Sequence, residues 1–306
     1  MTTGTTSVGE FVLGIDFGGT KVALATASST GERLRGTRLP TRAADGAEKV
    51  VRRVLDAAHG LIDETPGRLV AAGVSTFGVI REGRARLAPN VPGWEDLPLP
   101  ALLQDGLGVP AVRVDNDVNA AAAAELRWGR LQGAGVGLYV NFGTGTGAAL
   151  VVGGRVVPGT HGAAGEIGYL LRDPAEPGYA AGHAPLEEYT SGSGLAARGS
   201  ALLGEQVTAE ALFARREEPA VAALLDDAAA TVGMAVANLT TFLDPERVVV
   251  GGGMTEAFLP AVRAVVDRAV PFPPPVEAAR FVDDAALIGA VALGVDARLT
   301  GGAEAT

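Results

Sequence analysis

Two segments of the sequence carry a polar residue, glycines and threonines directly after an apolar run. Residues 16–21 read Asp-Phe-Gly-Gly-Thr-Lys, residues 141–147 read Asn-Phe-Gly-Thr-Gly-Thr-Gly, and a second apolar run follows each segment. This pattern predicts a β-hairpin with a glycine turn in both places. Glycine turns let backbone N–H groups approach a phosphate closely. The candidate phosphate-binding glycines are Gly18, Gly19, Gly143 and Gly145.

A third glycine turn follows the apolar run 248–250 and contains Gly252 and Gly253. One glycine hairpin alone indicates little, but three such turns in an acidic protein predict binding of a nucleotide polyphosphate, which would need Mg²⁺. Two other phosphate-binding motifs are excluded by spacing. Residues 14–21 do not read GxxxxGK[ST], and no GxGxxG opens a helix after the first strand.

Residues 115–119, Asp-Asn-Asp-Val-Asn, follow a predicted strand and precede a predicted helix. Aspartate and asparagine at such a place are preferred helix N-caps, which is the purely structural interpretation. The carboxyl ends of strands are also where ligands bind in α/β proteins. The helix N-terminus favours an ionised Asp117, which can accept the proton of a hydroxyl group during phosphoryl transfer. Asp117 is therefore the candidate general base.

Carboxylates recur in a second polar region of the chain. Residues 160–169 are rich in glycine and include Glu166, and residues 186–189 include Glu187. A sugar needs several fixed donors and acceptors for its hydroxyl groups, and sites of this kind discriminate between analogues. Exposed loop residues would give the same pattern. We select Glu166 and Glu187 as candidate sugar ligands.

The composition limits the class of protein. The chain has 306 residues, of which 47% are apolar, enough for two cores. Its net charge of -10 argues against a protein that follows a nucleic-acid backbone. The absence of cysteine excludes disulfides and thiolate metal sites and fits a reducing compartment. Because residues 1–10 do not read as a secretory signal and the uncharged run 131–154 is rich in glycine, we expect a cytoplasmic protein that does not bind a membrane.

Strands and helices alternate along the chain, as in α/β proteins. Asp45 is the predicted N-cap of the first helix. Placing Asp16 over Asn141 gives an internal repeat with an offset of 125 residues, which predicts two duplicated domains. The predicted helices cover residues 47–61, 120–128, 221–243 and 285–298, and the predicted strands include residues 70–74, 111–114 and 248–250.

Together these segments resemble the ROK family of sugar kinases, which belongs to the actin, Hsp70 and hexokinase fold superfamily. Residues 14–21 resemble the family's first phosphate motif, residues 142–147 its second, and residues 249–253 its nucleotide-side glycine turn. Residues 90–94, Asn-Val-Pro-Gly-Trp, resemble its sugar loop, and residues 115–119 resemble the segment that carries its catalytic base. The likeness covers nearly the whole chain.

The resemblance implies an α/β fold of two duplicated, ribonuclease H-like domains with an interdomain cleft. The smaller N-terminal domain would contain residues 1–116 and 285–306, and the larger domain would contain residues 117–284 with sugar and nucleotide contacts. The resemblance also implies ATP and Mg²⁺ as cofactors, a sugar and a nucleotide as small-molecule partners, and a homo-oligomer, either a dimer or a tetramer. No nucleic-acid partner is expected.

The resemblance also implies roles for individual residues. Asp117 would be the catalytic base, and Asp16 would lie near the water shell of the metal, with no side chain assigned as a direct metal ligand. Thr20, Lys21 and Thr144 would lie near the phosphates. The residues that would bind hexose hydroxyl groups are Asn90, Asn116, Asp117, Glu166 and Glu187.

The sequence departs from the family at its zinc site. ROK proteins usually bind zinc through one histidine and three cysteines, but Tyr169 stands in place of that histidine and the chain has no cysteine. Between residues 172 and 185 only His183 is a common zinc ligand. We therefore expect no zinc and a loop that is held by packing. Because the family histidine also touches the sugar, the departure leaves the substrate open.

The function implied is ATP-dependent phosphorylation of the 6-hydroxyl group of glucose or a similar hexose, as by a glucokinase. Three alternatives stay open: an N-acetylhexosamine or fructose acceptor, a polyphosphate donor, and a sugar-sensing regulator without catalysis. Repressors of the family carry an N-terminal DNA-binding domain, and we expect no such domain in the ten residues before Phe11.

Overall fold

The computed structural model describes residues 9–88 and 91–301, and the chain divides into two units. Unit 1 contains Met1–Arg127 and Asp283–Thr306, and unit 2 contains Trp128–Val282. The strands are β1 (Glu10–Phe17), β2 (Lys21–Ser28), β3 (Arg33–Pro40), β4 (Arg68–Thr76), β5 (Val79–Arg81), β6 (Arg84–Arg86), β7 (Val112–Asn116), β8 (Val136–Phe142), β9 (Thr146–Val152), β10 (Arg155–Val156), β11 (Arg247–Gly251) and β12 (Val276–Ala278). The helices are α1 (Ala47–Asp63), α2 (Leu99–Leu107), α3 (Asp117–Trp128), α4 (Pro185–Thr190), α5 (Gly192–Leu203), α6 (Ala209–Ala214), α7 (Pro219–Leu243), α8 (Thr255–Ala269) and α9 (Ala285–Gly301).

The main sheet of unit 1 has five strands in the order β3-β2-β1-β4-β7. Strands β1, β2 and β3 are antiparallel neighbours, whereas β1, β4 and β7 run parallel. Alternate residues of a strand point to opposite faces of its sheet. Leu13 and Ile15 of β1 join the core that α1 and α2 cover, and Gly14 between them faces α9. Helices therefore cover both faces of this sheet.

The main sheet of unit 2 repeats this arrangement in the order β10-β9-β8-β11-β12. Again the first three strands along the chain are antiparallel neighbours and the last two run parallel to the central strand. Leu138, Val140 and Phe142 of β8 belong to one core with residues of α7 and α8. The shared strand order and directions confirm the internal repeat predicted from the two glycine turns.

Close packing of α9 against the sheet of unit 1 depends on glycine. A Cβ atom on Gly14 would lie 2.7 Å from Cγ2 of Val291, and one on Gly73 of β4 would collide with the carbonyl oxygen of Ala290. Both glycines have the backbone of an ordinary strand, so it is the missing side chain that matters here. Gly14 lies in the first phosphate motif, but its role in the structure is to admit α9.

The boundary between the units differs from the expected one. The resemblance places it after residue 116, and in the structure it lies after Arg127, with the return to unit 1 at Asp283. Helix α3 belongs to unit 1 because it packs on α9: Arg127 pairs with Asp296 at 2.5 Å, and a side chain at Gly289 would collide with the backbone of Ala120. The two units have nearly equal lengths.

The predicted cap of the first helix was wrong. Helix α1 begins at Ala47 with Gly46 as its N-cap, and no side chain caps it. Asp45 ends a 3₁₀ turn before the helix, and its carboxylate lies 2.7 Å from Arg53. The carboxylate therefore has a guanidinium partner instead of the helix N–H groups.

Helix α7 has the length and hydropathy to span a membrane, alone among the helices in residues 9–88 and 91–301. Val221, Leu225, Val232 and Val236 of this helix are fully buried in the core of unit 2. Core packing accounts for its apolar composition.

We predict that Gly73→Ala lowers the free energy of unfolding by about 1–3 kcal/mol, as overpacking of a core usually does. The new methyl group would collide with the backbone of α9, which has to shift. The matched control is Gly60→Ala at an exposed position inside α1, where a Cβ atom would meet nothing within 4 Å. That change should raise stability by about 0.5–1 kcal/mol. Urea unfolding of both variants measures the contrast, and equal effects would contradict the prediction.

Candidate functional site

The first glycine turn joins β1 to β2 and is fixed by Thr41. The N–H group of Gly18 donates to the carbonyl oxygen of Lys21 (3.0 Å), and the hydroxyl group of Thr41 donates to the carbonyl oxygen of Gly18 (2.6 Å). The N–H group of Thr41 donates to the carbonyl oxygen of Thr20 (2.9 Å). Gly19, Thr20 and Lys21 are exposed, and a Cβ atom on Gly19 would meet nothing within 4 Å. The turn is thus fixed on one side and open on the other, as phosphate binding requires.

Asp16 lies at the carboxyl end of β1, directly beside Ser75 of the neighbouring strand β4. The hydroxyl group of Ser75 donates to Oδ1 of Asp16 at 2.9 Å. Burial raises the pKa of Asp16 to about 6, the hydrogen bond from Ser75 opposes this rise, and the charge of Asp117 adds to it. Asp16 and Asp117 therefore lie near enough within unit 1 to interact through their charges.

Asn116 ends β7 and has a structural role at the start of α3. Its Oδ1 accepts a hydrogen bond from the N–H group of Asn119 at 2.7 Å. Oδ1 of Asp115 accepts from Nδ2 of Asn119 (2.7 Å) and from the N–H group of Asn116 (2.9 Å). Burial raises the pKa of Asp115, although these hydrogen bonds oppose the rise. The amide of Asn116 thus caps α3, as the purely structural interpretation expected, and the carboxylate of Asp115 is hydrogen-bonded to the side chain of Asn119 in the first turn.

Asp117 is the first residue of α3 and is exposed. Its Oδ1 accepts a hydrogen bond from the N–H group of Val118 at 2.9 Å. The carboxylate thus stands at the carboxyl end of a parallel strand and at a helix N-terminus, where ligands bind in α/β proteins. These are the properties of a general base that receives a proton from an alcohol.

Asn90, the candidate sugar ligand of the Asn-x-x-Gly-Trp loop, lies outside the described residues. Trp94, at the other end of this loop, is fully buried. Its ring lies 5.1 Å from that of Phe17 and 4.8 Å from that of Phe77, measured between centroids. Because Phe17 follows Asp16 directly, Trp94 anchors this end of the loop beside the first glycine turn.

The second glycine turn joins β8 to β9, and its supports differ from those of the first. The N–H group of Thr146 donates to Oε2 of Glu187 at 2.9 Å. The N–H group of Gly192 donates to the carbonyl oxygen of Gly143 (2.8 Å). The hydroxyl group of Ser193 donates to the carbonyl oxygen of Thr144 (2.9 Å). Glu187, predicted to bind sugar, therefore also supports the turn that is predicted to bind phosphate.

The third glycine turn lies against the end of β8, beside the second turn. Gly252 has φ 89°, and a side chain there would collide with the carbonyl group of Phe142. The N–H group of Met254 donates to the same carbonyl oxygen at 3.0 Å, and the hydroxyl group of Thr255 donates to the carbonyl oxygen of Gly252 at 2.6 Å. Gly253 is open, because a Cβ atom there would meet nothing within 4 Å. Unit 2 thus brings Gly143–Gly145 and Gly252–Gly253 together.

Glu166 precedes a 3₁₀ turn formed by Ile167–Tyr169, of which Tyr169 is the last residue. The N–H group of Tyr169 donates to the carbonyl oxygen of Glu166 at 3.3 Å. Burial raises the pKa of Tyr169, and the charges of Glu166 and Glu187 raise it further. The two carboxylates predicted to bind sugar therefore both lie near the phenol that stands in place of the family histidine.

The loop between residues 170 and 185 does not fit a structural zinc ion. His183 is its single histidine, and Nδ1 lies 3.1 Å from the carboxylate of Glu188. Such sites need four ligands, mostly cysteine and histidine, and this chain has no cysteine. In the part of the chain that the structure describes, no three His, Cys, Asp or Glu side chains converge as a metal site. The residues of this loop therefore do not provide the ligands of the zinc site that is usual in the family.

A model of the ROK family matches residues 12–297. The chain belongs to the ROK family. It is 30% identical over 277 residues to a glucokinase of Halalkalibacterium halodurans, covering 81% of this chain and 82% of the relative. It is 31% identical over 293 residues to an N-acetylmannosamine kinase of Shigella flexneri, covering 92% of this chain and 97% of the relative.

Two solved structures extend this comparison to the fold. The ROK hexokinase from Thermus thermophilus has a TM-score of 0.81 at 33% identity, covering 93% of this chain and 97% of the other. A ROK glucokinase from Streptomyces griseus, in complex with glucose and AMPPNP, has a TM-score of 0.76 at 27% identity, covering 94% and 99%. These likenesses confirm the predicted fold class and the prediction of a sugar kinase, a phosphotransferase, of the ROK family.

Several residues that shape these sites were missed by the sequence reasoning. Ser75, Thr41 and Ser193 all support a candidate residue through a hydroxyl group. Ser75 had a detectable signal, since it follows the predicted strand 70–74 at the position where ligand-binding residues accumulate. Thr41 and Ser193 had none, because each lies more than twenty residues from its partner along the chain.

We predict that Asp16→Asn stabilises the ligand-free protein while impairing its activity. Because the folded pKa of about 6 exceeds the ordinary value of 3.8, the folded state holds the proton more tightly, and the ionised carboxylate destabilises the protein above pH 6. The gain from Asn should be about 1–3 kcal/mol at about pH 7.5 and should shrink as the pH falls from 6 toward 4. Urea unfolding at several pH values measures it. A gain that grows on acidification would contradict the prediction.

Proposed function

We propose that this ROK kinase transfers the γ-phosphoryl group of ATP to the 6-hydroxyl group of glucose or a similar hexose. The observation that carries the proposal is the position of Asp117, an exposed carboxylate at the start of α3, at the same end of the sheet as the partly buried carboxylate of Asp16. A pair of carboxylates in different environments is typical of phosphoryl-transfer sites, where one carboxylate serves the metal and the other the incoming nucleophile.

The glycine turns support ATP as the phosphoryl donor. The exposed Gly19 and Thr20 in unit 1, and the open Gly253 in unit 2, offer backbone N–H groups without a side chain in the way. The Streptomyces griseus relative, whose structure contains AMPPNP, supports the same donor. In this proposal Lys21 and Thr144 contribute to phosphate binding beside the glycines Gly18, Gly143, Gly145 and Gly252.

The residues of unit 1 fit a Mg²⁺ ion that is bound mainly through water. Mg²⁺ in kinases keeps several waters and uses one or two carboxylates together with the phosphates of the substrate. Asp16 offers such a carboxylate. The hydroxyl group of Ser75 donates to its Oδ1, and Oδ2 is the oxygen that would face the ion or its waters. When bound, the ion would neutralise charge on the phosphates. A nearby cation would also favour the ionised form of Asp16, against the effect of burial.

Asp117 would act on the sugar hydroxyl group. As the bond between the γ-phosphorus and the bridging oxygen breaks, the 6-oxygen forms a bond to phosphorus and its proton passes to the carboxylate of Asp117. Because the transition state is loose, the proton can move late, and a base of ordinary carboxylate strength suffices. ADP and the sugar 6-phosphate are the products.

The residues that we propose as ligands of the acceptor sugar are Asn90 and Asn116 in unit 1 and Glu166 and Glu187 in unit 2. In unit 2, support comes from Glu166 and Glu187, which lie near enough to Tyr169 to raise its pKa and can accept hydrogen bonds from sugar hydroxyl groups. Asn116 would contribute through its side-chain amide, whose Oδ1 also caps α3. An N-acetylhexosamine is the second candidate acceptor, and the likeness to an N-acetylmannosamine kinase favours it.

We predict that Asp117→Asn lowers turnover by on the order of 10²-fold or more, the usual contribution of a general base. Sugar affinity should change little, because the amide keeps the size of the carboxylate and an acceptor oxygen. A coupled assay of ADP release measures turnover, and calorimetry measures sugar binding. The matched control is Asp56→Asn on the exposed side of α1. Near-normal turnover of Asp117→Asn would refute the assignment.

A panel of acceptors and donors tests the substrate. Glucose, mannose, fructose, N-acetylglucosamine and N-acetylmannosamine are each supplied with ATP and then with polyphosphate, and sugar phosphate is measured directly. Glucose with ATP should give the highest kcat/KM. A preference for an N-acetylhexosamine would replace glucose as acceptor, and activity with polyphosphate alone would overturn the choice of ATP.

A further inference from the structure

In unit 2 the ring of Tyr189 lies between two guanidinium groups. Cζ of Arg172 and Cζ of Arg198 each lie 3.5 Å from the centroid of this ring. One face of a phenol ring accommodates a single guanidinium group at that distance, so the two arginines lie on opposite faces. Planar cations stacked on an aromatic ring are stabilised by its quadrupole. We call this group the Arg172–Tyr189–Arg198 stack.

The stack, together with Asp227, joins four separate parts of unit 2. Arg172 belongs to the loop after Tyr169, Tyr189 to α4, and Arg198 to α5. The hydroxyl group of Tyr189 donates to the carboxylate of Asp227 on α7, which also pairs with Arg198 at 3.0 Å. Nη1 of Arg198 donates to the carbonyl oxygen of Tyr189 at 2.8 Å. Arg172 pairs with Glu176 of its own loop.

Stacking contributes to the orientation of Arg172. Its Nε is buried and has no hydrogen-bond partner within residues 9–88 and 91–301, whereas its Nη2 pairs with Glu176. Arg172 and Glu176 belong to the same short loop, so the contact with the ring of Tyr189 ties the start of this loop to α4, while His183 and Glu188 link its end to the same helix. Beside the stack lies a cavity of about 360 Å³. The loop is therefore attached by polar and stacking contacts beside this cavity, in addition to the ring contact between Tyr169 and Tyr179.

Glu187 shares the short helix α4 with Tyr189. Its carboxylate accepts from the N–H group of Thr146 at the end of the second glycine turn. The position is tight, because a Cβ atom on Gly145 would lie 2.8 Å from Oε2 of Glu187 and one on Gly168 would lie 3.1 Å from its Cβ atom. Any shift of α4 thus moves a carboxylate that is fitted between two glycines.

We propose that the Arg172–Tyr189–Arg198 stack is a metal-free clamp that takes the place of the zinc ion of the family and positions Glu187 for the sugar. This inference rests on the proposed function for the role of Glu187 toward the sugar. The donor set around His183 does not fit zinc, and the stack connects the same loop to the helix that carries Glu187. Tyr189, Arg172 and Arg198 are positioning residues in this proposal.

Tyr189→Leu tests the clamp, because it removes the ring that both arginines contact. It should raise KM for the sugar by about tenfold or more while kcat and KM for ATP change less than about threefold, as expected when only acceptor positioning is lost. Tyr189→Phe keeps the ring and should restore most of the sugar KM. Arg172→Lys keeps the charge but not the planar stack, and should give an intermediate KM.

The control is Arg216→Gln, which removes an exposed ion pair with Asp226 in the same unit and should leave all three constants unchanged. Dialysis against a zinc chelator, followed by metal analysis, should leave the sugar KM of the wild type unaltered. Bound zinc whose removal raises this KM would overturn the proposal, as would an unchanged sugar KM in Tyr189→Leu.

Hydrogen exchange separates failure of the clamp from failure of the proposed function. In Tyr189→Leu, amide protection should fall in residues 170–190 and stay unchanged in β1 and β4 of unit 1. If the wild type phosphorylates no sugar, the proposed function fails, and exchange still tests whether the stack holds the loop and α4. Unchanged protection in an active Tyr189→Leu variant overturns the clamp alone. Should Tyr189→Leu fail to fold, Arg172→Lys carries the same two measurements.

Discussion

The parallel pairing of β1, β4 and β7 fixes the chemistry of unit 1. Its register places Asp16 opposite Ser75, and Ser75 opposite Asp115, at the carboxyl ends of three adjacent strands. Two carboxylates thereby come to one sheet edge, with a single serine between them that hydrogen-bonds to Asp16. A slip of one residue would turn these side chains to the opposite face of the sheet. Helix α9 packs on β1 and β4 at Gly14 and Gly73 and covers this face of the sheet.

The two units share one strand arrangement but support their glycine turns by different means. In unit 1 the threonine at position 41 holds the turn from the end of the third strand. In unit 2 a glutamate from α4 and a serine from α5 do so. The duplicated sheets thus preserve the position of the turn, whereas the elements inserted after β10 determine what surrounds it. This difference concentrates the polar groups of unit 2 around Glu187.

Much of this organisation could be predicted from the sequence, because the relevant signals are local. The offset of 125 residues predicted two similar sheets, and apolar periodicity predicted α7, α9 and the strand β4. Long-range contacts could not be predicted in this way. The boundary of unit 1 after Arg127 depends on the packing of α3 against α9. The N-cap of α1 is Gly46 because the carboxylate of Asp45 pairs with Arg53 instead of the helix N–H groups.

The candidate site shows the same division between local and long-range information. Asp117 was found because it follows a strand and opens a helix, which is a pattern within a few residues. The link between Glu187 and Thr146 spans 41 residues, and the stack around Tyr189 joins three elements that no spacing relates. In the sequence, the missing zinc ligands are evident from the absence of cysteine. The Arg172–Tyr189–Arg198 stack that we propose in their place is evident only from the structure.

The contribution of α9 to unit 1 also has a consequence for biosynthesis. Unit 2 is one continuous stretch of chain, so all its strands and helices are synthesised before α9. The sheet of unit 1 is translated first, yet it waits for the last helix to cover the face that contains Gly14 and Gly73. Domains generally fold as units during synthesis. Here the face of the unit 1 sheet that contains Gly14 and Gly73 cannot be covered until α9 has been synthesised, although the strands of that sheet are made first.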